Sequence, residues 1–77
     1  MNKKLKLIWD FKGSTSLKTA EHHCIHLKEF ANIKKLHFYE INFIAISEMH
    51  SIAFITIDET AMKIYRDALK PHRGQLA

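Results

Sequence analysis

Leu36-His37-Phe38-Tyr39-Glu40-Ile41-Asn42-Phe43-Ile44-Ala45-Ile46-Ser47, then Glu48-Met49-His50-Ser51, then Ile52-Ala53-Phe54-Ile55-Thr56-Ile57, is the stretch that decides the architecture. Aromatic and β-branched residues fill both outer runs, and such side chains suit the pleated surface of a strand. The tetrad between them reads as a turn, which makes an antiparallel hairpin of 36–47 and 52–57. The longer run is apolar on both parities, with Tyr39, Ile41, Phe43 and Ala45 on one and Phe38, Ile44 and Ile46 on the other. Successive strand residues point to opposite faces. The hairpin is therefore expected to need cover on both sides.

Upstream, Leu5, Leu7, Trp9 and Phe11 alternate with Lys4, Lys6, Ile8 and Asp10, the pattern of a half-buried strand. Lys12-Gly13-Ser14-Thr15-Ser16 follows as a turn with several possible helix N-caps. Leu17, Ala20, Cys24, Leu27 and Ala31 then repeat at helical spacing, and this helix is expected to fade between Asn32 and Lys35. Downstream, Asp58 is placed to cap a second helix whose stripe is Ala61, Ile64, Tyr65, Ala68 and Leu69, and Pro71 ends it.

The order is strand, helix, strand, strand, helix. A right-handed crossover makes the first strand parallel to the second. The return strand fits between them, with both helices on one face. This order resembles the ferredoxin-like βαββαβ fold. That resemblance implies an α+β domain with an antiparallel sheet, its last strand missing or reduced to residues 74–77. With no last strand, the first strand would present an open edge needing cover. The uncovered sheet face would meet a second subunit, as in the dimeric α/β-barrel proteins built from this unit.

The 77 residues make one domain, 1–77, and 47% of them are hydrophobic, more than so small a body easily hides. A homodimer is expected. One cysteine excludes an internal disulfide and suits a reducing cytoplasm. No run is long enough to span a membrane. The net charge of +4 comes from scattered lysines and arginines, so it tilts any ligand towards anions without marking a nucleic-acid stripe.

Three of the six histidines fall within Glu21-His22-His23-Cys24-Ile25-His26. On a helix, His22 and His26 stack one turn apart and with Glu29 could hold a transition metal such as zinc. The competing readings are a polar outer face and a pH-sensitive contact surface. Cys24, inside the apolar stripe, is expected to be buried. The topology gathers Asp10, His50, His72 and Arg73 at one end of the domain, with His22 and His23 about two turns down the first helix. His37 lies near the other end. Pro71-His72-Arg73-Gly74 could hold an anion through the guanidinium. Trp9 and Tyr39 are further ligand-contact candidates, or else core and interface aromatics.

These residues point to a small self-associating protein with a non-catalytic role, binding a small ligand or metal at its histidine-bearing end or serving in assembly. The alternative is a small enzyme of the dimeric α/β-barrel type, using His23, His50 or His72 as acid or base beside Asp10. Such an enzyme needs an enclosed apolar cavity between sheet and helices. RNA binding has little support. The RNA-recognition motif shares the element order, but its base-stacking positions fall on Ile52 and Ile57. Heavy-metal-associated domains share it too, yet their paired-cysteine loop is absent from Lys12–Ser16.

Overall fold

The computed structural model describes residues 3–77. They form β1 (Lys4–Lys12), α1 (Ser16–Lys34), β2 (Glu40–Ser47), β3 (His50–Asp58), a 3-10 turn (Glu59–Ala61), α2 (Met62–Leu69) and β4 (Arg73–Leu76). The four strands make one sheet in the order β2-β3-β1-β4, and every neighbouring pair is antiparallel. β1 and β2 both oppose β3, so they run parallel to each other, as a crossover through α1 requires.

Odd-numbered residues of β1 and β3 face the helices. Leu7, Trp9, Ile55 and Ile57 join Leu27 of α1 and Tyr65 of α2 in one buried cluster, with Phe30, Ile41, Met62 and Leu69 packed around it. Both helices therefore lie on the same face. Ala20 and Cys24 meet Ala53 in a second cluster of small residues, which lets α1 sit close to β3. Ser16 and Ser51, both buried, face each other with their hydroxyls 3.0 Å apart.

Several local readings change. The return strand begins at His50, so His50 and Ser51 lie in β3 and the turn is only Glu48-Met49. A register shift between Ala45 and Ser47 lets so short a turn close, and Gly13 N–H donates to the Met49 carbonyl at 2.8 Å. β2 begins at Glu40 rather than Leu36. Residues 36–39 carry the chain from helix to sheet, with Leu36 N–H still bonded to the Ala31 carbonyl.

Leu17 is 45% exposed and leaves the α1 stripe, because Ser16 occupies the buried position one residue earlier. Ile64 is likewise exposed. α2 buries Tyr65, flanked by the half-buried Met62 and Leu69 at helical spacing. Asp58 makes no side-chain cap; its carboxylate accepts the Tyr39 hydroxyl at 2.7 Å instead.

The last strand exists and is short. Arg73–Leu76 pairs with Leu5–Ile8, so β1 is not an edge and the sheet edges are β4 and β2. The helix-free face also differs from expectation. Ile8, Ile52 and Phe54 are buried within the single chain, and the Lys6 ammonium lies 4.0 Å above the Phe54 ring. Among the described residues, the large exposed apolar side chains on that face are those of β2, Ile44 and Ile46. Among the described residues, no helix is long and apolar enough to cross a membrane.

Candidate functional site

Asp10 is the hub of the end where β1 finishes. Its even parity turns the carboxylate to the helix-free face, where His50 and Arg73 arrive from β3 and β4. Oδ1 lies 2.8 Å from His50 Nε2. Arg73 grips the same carboxylate in a fork, Nε to Oδ2 at 3.0 Å and Nη2 to Oδ1 at 3.1 Å. Burial alone would raise the Asp10 carboxyl, but the hydrogen bonds and charges of Arg73 and His50 outweigh it and hold the group below the usual carboxylate range.

The Asp10 amide adds a third partner, donating to His72 Nδ1 at 2.8 Å. In this bond Nδ1 of His72 is the acceptor, which leaves Nε2 turned away from Asp10. The bond continues the β1–β4 ladder beyond His72 N–H to Ile8 O, with a side chain replacing a carbonyl. Asp10, His50, His72 and Arg73 are thus one bonded cluster. The Arg73 guanidinium is committed to Asp10.

His23 belongs to the opposite face. Its ring packs 4.7 Å from Trp9 and 5.5 Å from Phe11, centroid to centroid, and Phe11 in turn lies 6.5 Å from His72. The Nε2 atom of His23 is buried and has no hydrogen-bond partner among the described residues. Burial pushes its basicity down, helped by the nearby His26 and His72. A neutral His23 is therefore favoured, and protonating it opposes folding increasingly as the pH falls below the ordinary value of 6.5.

The helices leave an opening beside His23. α1 has 19 residues and α2 only eight, lengths of about 28 and 12 Å. α2 ends at Leu69, whose carbonyl takes the Trp9 indole N–H at 2.9 Å. Beyond that point Phe11, Lys18, Thr19, His22, His23 and His26 line an open groove of about 370 Å³. An adjoining stretch is lined by His23, His26, Glu29, Phe30, Ile33 and Leu69.

The remaining candidates separate. His22 stacks face to face on His26, centroids 4.9 Å apart, and His26 Nδ1 lies 3.7 Å from Glu29. No group of three histidine, cysteine or acidic side chains is arranged to hold a metal ion among the described residues. Cys24 is buried and its thiol is pushed up by that burial. Trp9 is buried with its one donor used. Tyr39 sits at the far end of the sheet beside His37, Lys4 and Asp58, away from Arg73. The groove itself escaped the sequence reading, because it depends on where α2 stops against α1. No protein-family model matches the chain, and comparison with curated proteins and with solved structures gives no match either.

Proposed function

We propose that this chain is a small, non-catalytic binding module of ferredoxin-like architecture that takes up an anion at its histidine-bearing end and associates with a second copy of itself. The observation that carries the binding reading is the groove at His23. One ammonium and three imidazoles line its Lys18 end, where no carboxylate joins them, and Glu29 stands only in the adjoining stretch. The filled interior supports the non-catalytic reading. Leu27, Ile55, Ile57 and Tyr65 occupy the space where an enzyme of the dimeric barrel type needs its cavity.

A second reading, acid–base catalysis by His50, draws on one observation. His50 is held by Asp10 beside a guanidinium, as a general base would be. The fork from Arg73 already neutralises that carboxylate, and the buried Ser16 and Ser51 lie on the other face of the sheet. Self-association is supported by β2, an eight-residue edge strand containing neither lysine nor proline, with Ile44 and Ile46 exposed.

Titration with inorganic phosphate, followed by amide NMR shifts, tests the binding reading. Shifts should concentrate at residues 18–26, and Lys18→Ala should weaken binding about fivefold, the loss of one charge-assisted contact. Shifts confined to Asp10, His50 and Arg73 would move the site to the helix-free face.

A further inference from the structure

We infer that the ligand of this groove is an anionic amphiphile, a carboxylate or phosphate head joined to an apolar chain. The inference rests on the anion-binding reading above and names the ligand class. The two stretches of the groove share His23 and His26 and differ sharply in chemistry. At the Lys18 end the lining offers one ammonium and the N–H groups of His22, His23 and His26. The Thr19 hydroxyl donates to the Thr15 carbonyl at 3.1 Å, so it adds no free donor there. At the other end Phe30, Ile33 and Leu69 make an apolar wall, with Glu29 drawn towards His26.

His23 and His26 stand where the two stretches meet. A head group held by Lys18 and the imidazole edges that line the Lys18 end would leave a tail to run towards Ile33. Lys18 and Ile33 are fifteen positions apart on α1, or about 22 Å of helix, room for a chain of medium length. Ile33 is 77% exposed on a helix otherwise patterned for burial at other positions. A tail lying against it would cover that surface. A free inorganic anion would use only the polar end.

Calorimetry and amide NMR on the full chain with acetate, hexanoate, octanoate and decanoate, each below its aggregation concentration, test this. Decanol serves as the headless control. Affinity should rise about fourfold for each added pair of methylenes, the effect of burying them by half. Ile33→Ser, a surface change that leaves the core intact, should flatten the series without altering acetate binding. Decanol should bind far more weakly than decanoate. Acetate bound with no dependence on chain length would overturn the amphiphile and leave the anion site standing. No shift with any anion would overturn both. Binding only to phosphatidylglycerol vesicles, with none to soluble decanoate, would also overturn the inference.

Discussion

Asp10 shows how much one side chain can organise. Through two carboxylate oxygens and one amide it ties β1 to His50 of β3 and to His72 and Arg73 at the start of β4. Its carboxyl titrates below the ordinary value of 3.8 in the fold, because Arg73 and His50 favour the charged form more than burial disfavours it. The sign follows from linkage. A depressed carboxyl contributes stability that is present above its ordinary value and is lost as the pH falls through the folded value. Asp10→Asn should therefore be less stable than the parent at neutral pH, and the gap should close below pH 3.8. Urea unfolding at a series of pH values measures it. A gap that stays constant into strong acid would show that the cluster stabilises by shape and not by charge.

At the scale of elements, the start of α1 is tied to the start of β3 by two serines. Ser16 is the first residue of its helix and Ser51 the second of its strand, and their buried hydroxyls answer each other at 3.0 Å. Ser51→Ala alone should cost about 1–2 kcal/mol, because it leaves the Ser16 hydroxyl buried without its partner. Ser16→Ala with Ser51→Ala should cost less than the sum of the two single changes, since no polar group is then stranded. Thermal and urea unfolding of the three variants checks this. Additive losses would mean that the pair does not interact. The same contact explains the turn of α1 away from Leu17: the helix is rotated to aim Ser16 at the sheet, and Leu17 follows about 100° round to solvent.

For the whole molecule, the open question of assembly moves from the sheet face to the sheet edge. Ile8, Ile52 and Phe54 are already hidden within one chain, whereas β2 keeps an unpaired backbone beside Ile44 and Ile46. β4, the other edge, has only four residues. A lysine on an edge strand blunts pairing. If β2 is the contact between copies, Ile44→Lys should lower the mass in light scattering to that of one 9.0 kDa chain. Phe54→Asp would instead break the fold's own packing. A dimer untouched by Ile44→Lys would exclude the β2 edge.

The linear pattern was enough to determine the element order, the central place of β3, the burial of Cys24 and the gathering of Asp10, His50, His72 and Arg73 at one end. Each of these follows from periodicity plus the handedness of one crossover, which are local or nearly local properties. Only the tertiary structure decided that His50 is a strand residue, that β4 closes the β1 edge, that Lys6 covers Phe54, and that His23 lines an opening. Those outcomes depend on how far one element reaches along another. The two-residue turn and its register shift decide the first, and the eight-residue length of α2 beside the nineteen of α1 decides the last. Length mismatches of that kind leave no periodic trace in a sequence, because they arise only when separate segments are laid side by side.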